Sequence, residues 1–515
     1  MTVPEQVTAS DQVVNAGLEE PWRRLSIRML AVHPVMELLR AIPFILIALV
    51  VGSRSTPGGG GLWGLVAVGI TIVIGLLRWA TTAYRVTPTQ VQVRRGLLGK
   101  SVLTVPRDRV RTVDLTSHFM HRLLGLTRVA VGTGQTDRRQ DSGLVLDGMA
   151  AAEGAHLREE LLRRSVVAAA PSAQAPRETV VAALDPAWIR YGPFTLSGLV
   201  TIGVVAAFGW RIINETHINP DQITVVHNAA GQLQRVPLAT AVAEVLVVGL
   251  IIVALFSTVG YVLAYWNFSL TRTAHGTLHI SRGLITTRST TIEERRLRGV
   301  EYSEPLLLRA VGAARALAIT TGLRVGRGAE RGGTVLLPPA PAVHVRRVAA
   351  DVLGDAVPIS VPLARHPRAA LRRRFTRALF GWLVLSGLAL GLFWPLGHPL
   401  WTAYVALGLL PLFLLLAVDR YRSLGHAIVD GRVIFRQGSL VRRRYMIDGT
   451  GVVGWTMHQS FFQRRAGVLT LTATTAAGRQ GYQLLDVTPA TAVAIADEVQ
   501  PGLLTPFLTP SPPPR

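Results

Sequence analysis

At 515 residues the chain is too long for one ordinary domain, and 49% of it is hydrophobic, with a mean hydropathy of +0.36. Its formal charge is nonetheless +23, and the two facts agree if the apolar residues lie in membrane spans and the cations in the loops and domains beside them. Cysteine is absent, which excludes disulfides and thiolate metal sites.

In chain order, 1–33 is a polar segment. It has no cationic n-region leading into an apolar core, so no cleavable signal peptide is expected. Apolar segments follow at 34–51 and 62–80, then at 191–210 and 239–265, then at 378–394 and 400–418. A helix needs roughly 20 residues to cross about 30 Å of hydrocarbon, so six spans in three hairpins are expected. Arg23, Arg24 and Arg28 precede the first segment, Arg372, Arg373, Arg374 and Arg377 the fifth, and Arg420 and Arg422 follow the sixth. The linkers inside the hairpins carry few charges. The positive-inside rule therefore places both termini and the regions between hairpins in the cytoplasm of a multi-pass cell-membrane protein.

A large unit occurs three times. Arg95-Gly96-Leu97, Arg282-Gly283-Leu284 and Gln437-Gly438-Ser439 are each followed, 29 residues after the glycine, by Gly125, Gly312 and Gly467. An arginine stands three residues before each of these: Arg122, Arg309 and Arg464. Such a fixed offset is a repeat signature. Within each unit, runs such as Gln90-Val91-Gln92-Val93-Arg94 and Arg432-Val433-Ile434-Phe435 alternate as half-buried strands do. Gly96, Gly283 and Gly438 stand where a hairpin can require positive φ. Helical patterns close the units at 149–164, 342–353 and 489–499.

The expected layout is an N-terminal cytoplasmic segment (1–33), hairpin one (34–82), domain one (83–165) and a flexible linker (166–188). Hairpin two (189–265, outer loop 212–237), domain two (266–355) and a basic linker (356–375) come next. Hairpin three (376–418), domain three (419–500) and a Pro-rich tail (501–515) complete it.

The opening phrases Tyr84-Arg85-Val86-Thr87-Pro88, Trp266-Asn267-Phe268-Ser269-Leu270 and Tyr421-Arg422-Ser423-Leu424-Gly425, with the paired spans, resemble the bacterial pleckstrin-homology-like (YdbS/YdbT-type) polytopic membrane protein family. So does Arg109-Val110-Arg111-Thr112-Val113 leading to Arg122-Leu123-Leu124-Gly125-Leu126. The resemblance covers nearly the whole chain. It implies six transmembrane helices with three cytoplasmic β-rich domains, each a bent sandwich of about seven strands closed by a C-terminal helix. It also implies a connection with envelope stress.

Candidate sites are few. Arg94, Arg95 and Lys100, then Arg282 and Arg288, then Arg442, Arg443 and Arg444 fall on or beside an early hairpin of each domain, where they could meet anionic lipid headgroups. The competing reading is a topology signal on a solvated face. The run Arg372 to Arg374 reads as an orientation signal, and Phe461 and Phe462 read as core. Glu37, Arg40, Arg78, Arg211 and Glu244 lie near span ends, as snorkelling or paired charges do. His118 and His121 lack a third ligand, and no hydrolase, kinase or nucleotide motif occurs, so no metal, cofactor or enzyme activity is expected. Aromatic-poor domains argue against nucleic acid. The expected function is non-enzymatic: PH-like domains that bind a protein partner or anionic lipid in envelope stress or membrane maintenance. The alternative is a transporter or lipid-handling protein with a site among the six helices.

Overall fold

The computed structural model describes residues 21–29, 80–96, 101–107, 110, 112–132, 144–163, 178–195, 237–274, 276–321, 334–394, 399–504 and 506, with isolated helical positions at 69, 73, 77 and 203. Segment one, nearly all of segment two, most of segment three, the outer loop as far as residue 236 and the linker part 166–177 lie outside the described residues. The chain forms two compact units, Met1–Thr291 and Ile292–Arg515, whose boundary falls inside a strand of the second copy.

In the first unit, β1 (Arg23–Arg24), β2 (Ala83–Val86), β3 (Gln90–Arg95) and β4 (Ser101–Pro106) form a four-stranded antiparallel sheet in that order. A second sheet has seven strands. Its copy-one part is β5 (Thr112–Ser117), the short α1 (Phe119–Leu123), β6 (Leu126–Gly132) and β7 (Leu144–Ala150), followed by α2 (Ala151–Arg163). Next come β8 (Thr179–Ala183), the long helix α3 (Leu238–Tyr265), β9 (Ser269–Arg272), β10 (Thr277–Arg282) and β11 (Thr287–Glu293). The order is β7-β6-β5-β11-β10-β9-β8, so β5 of copy one pairs directly with β11 of copy two.

The second unit repeats the arrangement. β12 (Leu297–Pro305), α4 (Leu306–Ala310), β13 (Ala313–Thr320) and β14 (Thr334–Pro341) precede α5 (Ala342–Leu353) and α6 (Val357–Ser360). The apolar helices α7 (Arg368–Phe393) and α8 (Pro399–Arg422) lead to β15 (Gly425–Val429), β16 (Arg432–Gln437) and β17 (Val441–Asp448). The sheet order β14-β13-β12-β17-β16-β15 joins copy two to copy three through β12 and β17. β18 (Val452–His458), α9 (Phe461–Arg465), β19 (Leu469–Thr475) and β20 (Gly481–Val487) form a three-stranded sheet, followed by α10 (Pro489–Val499).

Among the described residues each copy thus has six strands after its apolar stretch, β1 and β8 add a seventh ahead of it in copies one and two, and neighbouring copies extend the sheets. The glycines that mark the repeat occupy left-handed positions: Gly283 at φ 110°, Gly438 at 97°, Gly312 at 68° and Gly467 at 64°. At Gly438 an added Cβ would collide with the Val441 carbonyl oxygen, so the tight β16–β17 turn requires glycine.

Val91, Val93, Val113, Val129, Leu144, Leu157 and Leu161 build the core of copy one, with Leu25 from the N-terminal segment packed among them. Phe435, Tyr445, Ile447, Leu471, Tyr482 and Ile495 anchor that of copy three. Leu157 and Leu161 are four apart and share a face of α2. Val345, Val348, Ala349 and Val352 do the same on α5.

Two linkers differ from expectation. Residues 179–188 of the region read as a flexible linker are ordered: Thr179–Ala183 is β8, paired with β9, and Pro186–Thr195 is a 3₁₀ segment that runs on into the region read as hairpin two. The run Thr179-Val180-Val181 is β-prone and finds an open sheet edge. The basic linker is not a linker along its length either. α7 begins at Arg368 and carries the arginine run on helix, because nothing between Arg368 and Phe393 breaks the pattern. Phe461 and Phe462, expected in the core, are 71% and 72% exposed on α9.

Three described helices are long and apolar enough to cross a membrane by length and composition: Thr240–Tyr265, Arg368–Phe393 and Thr402–Arg422, with window hydropathies of 2.6, 1.6 and 2.0. The latter two form a hairpin, tied by the Trp382 indole N–H donating to the Ala406 carbonyl at 2.7 Å.

Candidate functional site

The basic hairpin of copy three is the richest of the three. On β17, Arg442, Arg443 and Arg444 alternate faces, as strand geometry requires. Arg442 and Arg444 turn one way. Arg442 donates to Ser423 Oγ at 3.1 Å and to Asp419 Oδ1 at 3.2 Å, and Arg309 meets the same carboxylate at 3.2 Å. Arg444 donates to the Val361 carbonyl at 2.8 Å; burial and neighbouring Arg436 push it down to about 10. Arg443 turns the other way and reaches Glu301 Oε1 at 3.1 Å. Glu301 is 1% exposed on β12, opposite Tyr445, with Arg479 at 3.6 Å from the same oxygen. Burial raises the Glu301 carboxyl above its ordinary value, and Arg479, Arg443 and Arg315 pull it back. All three hairpin arginines are therefore engaged within the protein, and Arg443 ties β17 to β12 through Glu301.

The foot of α7 supplies a second group of cations. Arg373 and Arg377 are one turn apart and Arg374 lies beside them. Arg373 pairs with Asp486, and Arg374 reaches the other oxygen of the same carboxylate at 2.9 Å. Gln463 also donates to Asp486, at 2.9 Å, and to Thr470 at 2.8 Å. Arg373, Arg374, Asp486 and Gln463 are buried. The arginines read as an orientation signal are thus also a structural joint between α7 and the third domain.

Beside this joint lies a cavity of about 460 Å³. Arg374, Arg377, Arg420 and Arg443 line it, together with Ala378, Phe413, Leu416 and Ala417 and the hairpin residues Gly438 to Val441. Arg377 and Arg420 are exposed, and among the described residues neither has a carboxylate partner. Arg377 is the last charge before the apolar run of α7, and Arg420 follows that of α8. The lining therefore combines surplus positive charge with an apolar wall, the chemistry of an amphiphile with an anionic head.

The other candidate residues are dispersed. Arg94 lies over the Trp22 ring at 5.0 Å, with Arg85 at 4.8 Å from the same ring. Arg95 ends β3 opposite Ser101. Arg282 is buried, its guanidinium 5.4 Å from the Tyr265 ring, so it presents no open headgroup surface. Arg288 is exposed on β11 opposite Thr116. Glu244 is exposed on α3. Lys100, Glu37, Arg40, Arg78 and Arg211 lie outside the described residues. His118 and His121 have ring centroids 5.6 Å apart, and His121 sits 3.4 Å from Asp147. No metal-holding group of three or more ligands occurs among the described residues. Arg374, Arg377 and Arg420 were not among the expected contacts. The available signal was the one-turn spacing of Arg373 and Arg377, mirrored by Arg420 at the far end of the same hairpin.

The bacterial PH domain family matches residues 38–165, 228–351 and 378–501. The chain is 19% identical over 464 residues to the UPF0699 transmembrane protein YdbT of Bacillus subtilis (strain 168), covering 85% of this chain and 89% of that protein. No solved structure matches.

Proposed function

Because the chain belongs to the bacterial PH domain family, and is a membrane protein with three such domains, we propose that it is a non-enzymatic anchor that binds anionic lipid headgroups beside its third hairpin. In this reading six apolar segments form three hairpins, both termini are cytoplasmic, and the PH-like domains lie against the inner leaflet. The work is membrane maintenance rather than turnover. The observation that carries the reading is the cavity at the foot of α7 and α8. Among the described residues Arg377 and Arg420 have no acidic partner, while Phe413 and Leu416 offer an apolar wall. A cation close to an anionic leaflet contributes about 1 kcal/mol.

The test is native mass spectrometry of the full chain in mild detergent, titrated with phosphatidylglycerol and, separately, phosphatidylcholine. Retention of phosphatidylglycerol should drop several-fold in Arg377→Ser/Arg420→Ser and stay unchanged in Arg94→Ser. Equal retention by the double variant and the parent would refute the site.

A further inference from the structure

The two junctions between copies share one register. At the first, Arg288, five residues past Gly283, faces Thr116, nine residues before Gly125. At the second, Arg443, five past Gly438, faces Ser303, nine before Gly312. Ser289 faces Leu115, and its counterpart Arg444 faces Tyr302. The second strand of each marked hairpin thus pairs with the third-from-last strand of the preceding copy in a fixed register.

Three copies carry three strands of each kind, and two of each are used. The remaining pair is β4, the counterpart of β11 and β17, and β18, the counterpart of β5 and β12. Each is the outermost strand of its sheet, and among the described residues neither has a neighbour on its outer side. Their exposure agrees. β12 buries five consecutive residues, from Gly299 to Ser303, whereas on β18 Val453 is 70% and Met457 40% exposed, and on β4 Val102 is 51% exposed. Neither Ser-Val-Leu-Thr-Val-Pro nor Val-Val-Gly-Trp-Thr-Met-His carries a charged residue, although open edges are ordinarily guarded by charge.

The contacts flanking the junctions follow the same pattern. Arg122 donates to the Leu284 carbonyl at 2.6 Å, and Leu306 N–H to the Leu440 carbonyl at 2.7 Å, each bonding the hairpin of the next copy. Arg309 reaches Asp419. Arg464, the third arginine of the repeat, is exposed and has no side-chain partner among the described residues.

We propose that β18 of one molecule pairs antiparallel with β4 of a second copy, in the register already used twice within the chain. The rule places His458 opposite Ser101, Met457 opposite Val102 and Thr456 opposite Leu103. The exposed side chains of Met457 and Val102 then cover one another. The contact joins different surfaces, so it builds a ring where the rotation closes and a row of molecules where it does not.

The absence of cysteine makes the test direct. Full-length Val102→Cys and Met457→Cys chains, co-expressed, are oxidised in isolated membranes and separated by mass. A dimer is expected from the mixture and not from either variant alone, with several-fold less from Met457→Cys mixed with the register control Thr104→Cys. In a second measurement, Val102→Lys should shift the native mass of the parent assembly toward the single chain. Three results would overturn the proposal: no cross-link from the mixture with both chains folded, equal dimer from single variants through random collision, or closure within one chain in the doubly substituted protein. Cross-linking of Met457→Cys to lipid or to an unrelated protein, instead of to Val102→Cys, would also overturn it.

Discussion

The first and third copies receive the chain ahead of their hairpins at the same backbone position, with opposite chemistry. In copy one the position is Gly148, at φ 90°, just before Met149, which pairs with Thr127; in copy three it is Asp486, at φ 58°, just before Val487, which pairs with Leu469. Thr127 and Leu469 each stand two residues past a repeat glycine. Met29 packs onto Gly148, where an added Cβ would come within 2.8 Å of its Cγ and Sδ, and Ser26 N–H donates to the Gly148 carbonyl at 3.1 Å. Asp486 instead receives Arg373, Arg374 and Gln463. A thioether tolerates small displacements, while a buried carboxylate between two guanidiniums demands all its partners. One fold thus carries a compliant joint and a stringent one at equivalent places.

Breaking the stringent joint should have the largest effect. Asp486→Ala leaves two buried guanidiniums unpaired and should cost about 3–5 kcal/mol, read as thermal unfolding of the full chain in detergent. Adding Arg373→Met and Arg374→Met should restore most of the loss, since an apolar replacement removes the unpaired charge. A loss too small to measure in Asp486→Ala would show that the two joints do not differ in kind. At the compliant joint, Met29→Ala should fall toward the lower end of roughly 2–5 kcal/mol, because the site can partly collapse. Hydrogen exchange at β7 is the sensitive readout.

The smallest effect sharpens the contrast through pH. His366, beside the foot of α7, is 5% exposed, its ring 5.5 Å from that of His426. Burial, with His426 adding to it, pushes His366 down to about 3, and burial lowers His426 too. A folded value below the unfolded one means that the unfolded chain takes the proton first. The stability contributed is therefore full above about pH 6.5 and lost as pH falls from there toward 3, at up to about 1.4 kcal/mol per unit. Unfolding midpoints at pH 7.5, 6.0 and 5.0 should decline, and His366→Gln should flatten the decline. A parent chain with no slope across that window would contradict the assignment of a neutral buried His366.

The repeat was legible because positive φ leaves a residue signature: Gly283, Gly312, Gly438 and Gly467 mark it, and their spacing exposes the unit. The strand pairs β5–β11 and β12–β17 were not, because backbone hydrogen bonds between strands carry no residue label. At the candidate site, strand alternation could have separated Arg443 from Arg442 and Arg444 in advance. Their partners could not be read, since Glu301 and Val361 lie 142 and 83 positions away from Arg443 and Arg444 and even Asp419 is 23 from Arg442. The same distance hid the joint, for Arg373 and Asp486 are 113 positions apart. Phe461 and Phe462 were misplaced because apolar character alone does not distinguish a core position from a helix on the outside of a sheet.

The strands that flank each hairpin carry a consequence for biogenesis. Arg24 pairs with Ala83, Thr179 with Arg272, and Ala364 bridges His426, so in every copy the segment ahead of the apolar stretch lies beside the strand that follows it. At a synthesis rate of ~5–20 residues per second, the early partner waits on the order of seconds for the late one. Each sheet can close only after the ribosome has passed the whole intervening stretch and both ends have arrived on one side. On the proposed six-span reading, sheet closure acts as a clasp that locks a correctly threaded hairpin and leaves a misthreaded one unlatched, open to quality control.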